Sequence, residues 1–152
     1  MIQSTLCYLE KDDKYLMMHR TKKKNDMNID KWIGVGGKLE YGETPFECAR
    51  REIKEETNLT AKQLKYRGIV TFVSNEFGTE YMHLFTCLDF EGELTKCCNE
   101  GDLVWVDKNQ VSQLPIWEGD KIFFDLLDNE DRFFSLKLVY SGNDLVEHSI
   151  EY

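Results

Sequence analysis

Three carboxylates stand close together in the run Arg50-Arg51-Glu52-Ile53-Lys54-Glu55-Glu56. Glu52, Glu55 and Glu56 lie at i, i+3 and i+4, so on a helix they share one face. Like charges at those separations destabilise an isolated helix. Arg50 and Arg51 are expected to point elsewhere and to offset that repulsion only in part. The compensating charge is then a hard divalent cation with oxygen ligands, Mg2+ or Mn2+. Such cations would also let a chain of net charge -9 accept a polyphosphate, which an acidic site alone repels. The competing reading is a solvated acidic helix face, and an isolated run would favour it. This run is not isolated. It follows the glycine pair Gly36-Gly37, an acidic turn at Glu43 and a capped helix start.

The elements that must position these groups are readable from pattern. Thr44-Pro45-Phe46-Glu47 places a cap residue, proline at the first helical position and glutamate at the third. Phe46, Ala49 and Ile53 then form one apolar stripe. Asn58 can take the left-handed conformation that ends a helix. Strands are predicted at residues 2–9 and 15–19 around the polar turn 11–14, and residues 20–30 read as a mobile basic loop. The glycine-rich segment 32–37 implies a close backbone approach. Residues 67–74 and 81–90 form a predicted strand pair, 91–102 a polar loop and 103–106 a short strand. Short helices are predicted over 108–114 and around 121–127. A terminal hairpin over 134–140 and 145–152 turns at Gly142-Asn143. The simplest architecture is a single α+β domain over residues 1–152, with helices packed on a mixed sheet.

The stretch GKLEYGETPFECARREIKEETNL resembles the Nudix box, G-x5-E-x7-R-E-U-x-E-E-x-G-U, with U aliphatic. Gly37, Glu43, Arg51, Glu52, Ile53, Glu55, Glu56 and Leu59 match its fixed positions. Asn58 stands where the family has glycine, a small change because asparagine also adopts the left-handed conformation. The resemblance implies an α/β/α sandwich with a mixed sheet flanked by helices. It implies hydrolysis of a nucleoside diphosphate linked to another moiety. Glu52, Glu55 and Glu56 would hold Mg2+ or Mn2+, and Arg51 with Glu43 would orient the catalytic glutamates. The backbone near Gly36, Gly37 and Lys38 would approach the metal or phosphate. A carboxylate, Glu56 or Glu100, would accept a proton from the attacking water.

Outside the box, Trp32-Ile33-Gly34-Val35-Gly36-Gly37, Glu100, Trp105 and Trp117-Glu118-Gly119-Asp120 resemble the MutT-type branch, which sanitises oxidised purine triphosphates such as 8-oxo-dGTP. By that resemblance Trp117 stacks on the base, Asp120 reads the purine edge, Glu100 adds a metal ligand or base, and Trp32 and Ile33 line the substrate site. Physically, an indole offers a flat stacking surface. A carboxyl accepts from the guanine edge, or donates if a closed pocket raises its pKa. The plainer alternatives are a core residue for Trp117 and a helix cap for Asp120. Ile33 departs from the branch, which often has asparagine there, and its side chain cannot hydrogen-bond a base. Lys23, with Lys22 and Lys24, steers the triphosphate or simply decorates a solvated loop. Phe46, Phe72 and Tyr81 read as core.

The acidic charge argues against a nucleic-acid polymer as partner. The odd set Cys7, Cys48, Cys87, Cys97 and Cys98 lacks metal or disulfide spacing. With no visible signal peptide or membrane-length apolar run, a reduced, cytoplasmic protein with no membrane partner is expected. The rival to an enzyme is a non-catalytic nucleotide-binding module on the same scaffold. All four box glutamates are present, which favours the enzyme. A dinucleotide polyphosphate or nucleotide sugar is a further alternative substrate.

Overall fold

The computed structural model describes residues 1–22, 26–96 and 98–152. The chain runs β1 (Ile2–Lys11), β2 (Lys14–Arg20), β3 (Trp32–Ile33), α1 (Pro45–Thr57), β4 (Thr60–Ser74), β5 (Gly78–Glu91), β6 (Gly101–Asp107), a 3-10 turn (Lys108–Gln113), α2 (Asp120–Asn129), β7 (Phe134–Ser141) and β8 (Asp144–Glu151). Strand order is β3-β2-β1-β5-β4-β7-β8, with β6 paired to β2. The pairs β1·β5 and β4·β7 are parallel, while β1·β2, β2·β3, β2·β6, β4·β5 and β7·β8 are antiparallel. The expected mixed sheet is therefore present.

Helices flank it on both faces because the first two strands bury alternate side chains in two different cores. Tyr8, Tyr15 and Met17 point toward α2 and meet Phe123, Phe124, Leu126 and Leu127. Cys7, Leu9, Leu16 and Met18 point the other way, into a core with Ala49 and Ile53 of α1. Successive strand residues face opposite sides, so a strand covered on both sides reads as a continuous apolar run.

Three differences from the sequence pattern have physical causes. β4 and β5 are much longer than the predicted pair, because register shifts near Ala61, Gln63 and Tyr66 break the period-two signal of the first half of β4. β6 begins at Gly101, inside the predicted polar loop, because pairing with β2 rather than side-chain pattern creates it. Arg20, read as the start of a loop, closes β2 instead, and its backbone bonds to the described residues that precede β3. Arg20 N–H donates to Lys31 O (3.0 Å), Asp30 N–H to Arg20 O (2.6 Å) and Lys31 N–H to Asn28 O (2.9 Å).

Candidate active site

The glutamate helix begins as its cap predicts. Thr44 Oγ1 accepts from Glu47 N–H (3.1 Å), and a Glu47 oxygen accepts from Thr44 N–H (2.9 Å). Asn58 ends the helix at φ 66°, its N–H donating to Lys54 O. Cys48, Ala49 and Ile53 are buried, while Phe46, read as core, stays partly exposed at the edge. That burial turns Arg51, Glu52, Glu55 and Glu56 toward the Gly36–Glu43 segment and solvent.

Arg51 does not point away from the acids. Its Nε and Nη2 donate to the Glu43 carboxylate (2.7 and 2.9 Å), and Nη1 donates to Glu52 Oε1 (2.8 Å) and Glu55 Oε2 (3.3 Å). Nη2 also reaches Lys38 O at 3.1 Å. A planar guanidinium can serve several acceptors at once, which a spacing argument along the helix does not reveal. The Arg51 partnership holds the Glu43 carboxyl down at about 2. Glu52 is shifted the other way, because burial outweighs the help of Arg51.

Glu56 is different. Its Oε2 accepts from Gly36 N–H at 3.0 Å, and only 9% of the residue is exposed. Burial first, and then the facing Glu100 carboxyl, push it up to about 9. Gly36 makes the contact possible: its φ of +153° favours glycine, and a Cβ there would sit 2.0 Å from Thr5 O. A Cβ on Gly37 would lie 2.5 Å from Glu52 Oε1. The backbone bridges Cys7–Val35 and Ser4–Lys38 pin this segment to β1. Glu100, just before β6, accepts from Arg20 Nη1 at 2.9 Å.

Among the described residues, no group of three acidic, His or Cys side chains is already arranged as a metal cage. Arg51 draws Glu52 and Glu55 to itself. The donor set still fits a hard divalent cation, because Glu52, Glu56 and Glu100 are oxygen donors, and Glu52 and Glu56 each lie close enough to the Glu100 carboxylate to have their proton affinity raised by it. A cation between them would remove that repulsion.

These groups edge a cleft of about 750 Å³ whose lining includes Arg51, Glu52, Glu100, Gly36, Gly37 and Lys38 at one end and Ile33, Phe72, Trp117 and Asp120 at the other. That volume suits a nucleotide. Trp117 is both core and wall. It is 5% exposed, meets Phe72 and Tyr140 edge-on, and has Lys31 Nζ 4.4 Å from its ring centroid. Asp120 is the first residue of α2 but does not cap it. Gly119 holds the cap position, with no side-chain bond. Burial pushes the Asp120 carboxyl up to about 8, against the pull of Lys31. Trp32 is outside the lining and stacks on His19 at 4.5 Å. Glu55 is mostly exposed. Lys23 lies outside the described residues. Sequence reading missed Arg20, Asp26, Asn28 and Met82 as cleft residues, and took Phe72 as core alone. The alternation of β4 marked Phe72 as inward-facing but could not say that the core opens there.

Comparison with known proteins agrees with this fold. The NUDIX domain profile matches residues 2–127. An oxidized purine nucleoside triphosphate hydrolase of Danio rerio is 34% identical over 134 residues, covering 85% of this chain and 83% of the relative. An uncharacterized Nudix hydrolase, YvcI, of Bacillus subtilis strain 168 is 29% identical over 127 residues, covering 81% and 77%. The crystal structure of a mutator MutT protein from Bacillus halodurans superposes with TM-score 0.88 at 28% identity, covering 99% of this chain and 98% of that one.

Proposed function

This chain belongs to the Nudix family, and from that premise we propose that its residues 1–152 act as one domain, a divalent-metal-dependent pyrophosphohydrolase of purine nucleoside triphosphates. The leading substrate is an oxidised purine such as 8-oxo-dGTP, cleaved by water to 8-oxo-dGMP and pyrophosphate. The observation that carries the reading is a single cleft with an acid cluster at one end and a buried Trp117–Asp120 pair at the other. The similarity to the Danio rerio hydrolase supports the same substrate class.

Glu52, Glu56 and Glu100 would hold Mg2+ or Mn2+, with Glu55 at the exposed margin and the Gly36 backbone beside them. Bound there, the cation neutralises phosphate charge and lowers the pKa of water. The chain's own groups do the rest. Arg51 holds Glu52 and Glu43 in fixed orientations. Glu56 or Glu100 accepts the proton of the attacking water, since the two carboxyls face each other in the acid cluster beside the Gly36 backbone. Gly37 and Lys38 line the phosphate end, and Lys23 is assigned to the triphosphate from the sequence alone. At the base end, Phe72 and Trp117 enclose a flat ring, Ile33 gives an apolar wall, and a protonated Asp120 donates to a purine acceptor. Trp32, stacked on His19, supports Ile33 from β3 rather than touching substrate.

The test is pyrophosphate release from a panel of 8-oxo-dGTP, dGTP, dATP, ADP-ribose and diadenosine polyphosphates, with Mg2+ and with EDTA. The expected result is metal-dependent release, highest kcat/KM among purine triphosphates, and a loss of about 100-fold or more in Glu56→Gln. Undiminished turnover by Glu56→Gln removes its role. Preference for ADP-ribose overturns the substrate class.

A further inference from the structure

Two ends of the cleft are joined through Asn28, Asp26 and Arg20, which the reaction scheme above does not use, with the Asn28 backbone amide as one link. Trp117 Nε1–H donates to Asn28 Oδ1 at 2.7 Å. Asn28 N–H donates to Asp26 Oδ1 at 3.1 Å. The other oxygen of the same carboxylate, Asp26 Oδ2, accepts from Arg20 Nε at 2.7 Å. Arg20 Nη1 donates to Glu100 Oε2 at 2.9 Å. Every step is a hydrogen bond of ordinary length, and the chain runs without a break from the base-end indole to the acid cluster. We propose that Asp26, clamped between Arg20 and Asn28, is a positioning residue that couples the seating of the base at Trp117 to the orientation of Glu100. The proposal rests on the reading of the cleft given above.

Burial and geometry make this chain more than a surface ornament. The side chains of Arg20 and Asp26 are only 11% and 8% exposed, so neither charge can turn to bulk water when its partner is lost. Removing one member of a buried pair leaves the other uncompensated, a large penalty that forces neighbours to rearrange. Asp26 has no freedom to serve one partner alone, because its two oxygens are committed to different partners. Arg20 is likewise divided, with Nε on Asp26 and Nη1 on Glu100. Two fixed forks in series transmit a displacement at one end to the other. The backbone reinforces them: the Arg20 amide and carbonyl bond to Lys31 and Asp30, which ties the end of β2 to the residues just before β3. A base pressing on Trp117 therefore bears on Asn28, and through Asp26 and Arg20 on the carboxyl that faces Glu56. A correctly seated purine would set Glu100 for the water-activating cluster, and a poorly seated one would leave it misaligned.

Coupling through such a chain needs a demonstration at both ends, one of them independent of turnover. The three tryptophans give three indole N–H resonances in 15N-labelled protein, and Trp117→Phe assigns the one of interest. In metal-free protein held in EDTA, Arg20→Gln and Glu100→Gln, both remote from the indole, are expected to shift the Trp117 resonance. They should also speed its exchange with solvent about tenfold, leaving Trp105 unmoved. Asp26→Asn keeps the acceptor for Asn28 but weakens the hold on Arg20, so its effect should be intermediate. At the other end, Asn28→Ala, which touches neither Glu100 nor the guanidinium, is expected to lower kcat for the best purine triphosphate about fivefold rather than only raising KM. If Arg20→Gln fails to fold, Arg20→Lys and Asn28→Ala decide the question. An unchanged Trp117 resonance in folded Arg20 and Glu100 variants overturns the coupling, as does an Asn28→Ala effect confined to KM. A parent protein that releases no pyrophosphate while the indole still responds to Arg20 and Glu100 supports the coupling and overturns the proposed activity instead.

Discussion

Asp120 shows how one burial decision creates a chemical property. An ordinary aspartate ionises near 3.8, whereas at the buried start of α2 this one holds its proton to about 8. At neutral pH it is therefore a hydrogen-bond donor as well as an acceptor, which suits a purine edge that offers lone pairs. The shift also has a stability consequence of definite sign. Between pH 4 and 8 the folded chain keeps a proton that the unfolded chain releases. Stability from this group is therefore full below the lower value and is lost as pH rises through the higher one. In Asp120→Asn that slope is absent. Thermal melts of parent and variant should move in the variant's favour between pH 5 and pH 8, by on the order of a few kcal/mol. The same variant should lose discrimination among purine triphosphates more than it loses phosphate hydrolysis. A pH-independent gap between the melts would show that Asp120 is ionised in the fold.

At the scale of elements, α1 is where local sequence logic is strongest. Its capping box, its proline start and its left-handed Asn58 end all appear in the structure as pattern alone predicts. Thr44→Ala removes the acceptor for Glu47 N–H and should cost about 1 kcal/mol, a drop in Tm of roughly 3 °C. Because the Arg51–Glu43 and Arg51–Glu52 pairs do not depend on Thr44, kcat should stay within about twofold of the parent. A larger fall in kcat than in Tm would mean that the cap also tunes the acid cluster. The strands behave otherwise. β6 exists because β2 offers it a full antiparallel edge from Lys14 to Arg20, and its position sets where Glu100 stands. Nothing local in residues 91–102 announces that edge.

For the whole molecule, the decisive fact is that the sheet carries two cores and the cleft borders both. The α2 side packs Phe123 against Tyr8 and Phe124, with ring centroids 5.9 and 5.0 Å apart. Phe123 is fully buried, one helical turn after Asp120. Phe123→Ala should cost about 3–5 kcal/mol through the cavity it leaves. It should also raise KM for purine triphosphates by loosening the base end of the cleft. Melting curves and steady-state kinetics check the two effects separately, and an unchanged KM would show that the base end is braced by Tyr140 and Phe72 alone. Among the described residues, no helix is long and apolar enough to cross a membrane.

Read as sequence alone, the chain determined its glutamate helix, both ends of that helix, the close approach at Gly36-Gly37 and the presence of a mixed sheet. These depend on spacing, caps and periodicity, which act over a few residues and leave local marks. Tertiary structure decided the rest. It folded Arg51 back onto Glu43, Glu52 and Glu55 and brought Glu100 from a distant strand edge to face Glu56. It also buried Asp120 deeply enough to change its protonation and linked Asp26 to both ends of the cleft. Each of these outcomes rests on contacts between residues far apart in the chain, or on desolvation by elements that arrive from elsewhere. Neither cause leaves a periodic trace in the sequence.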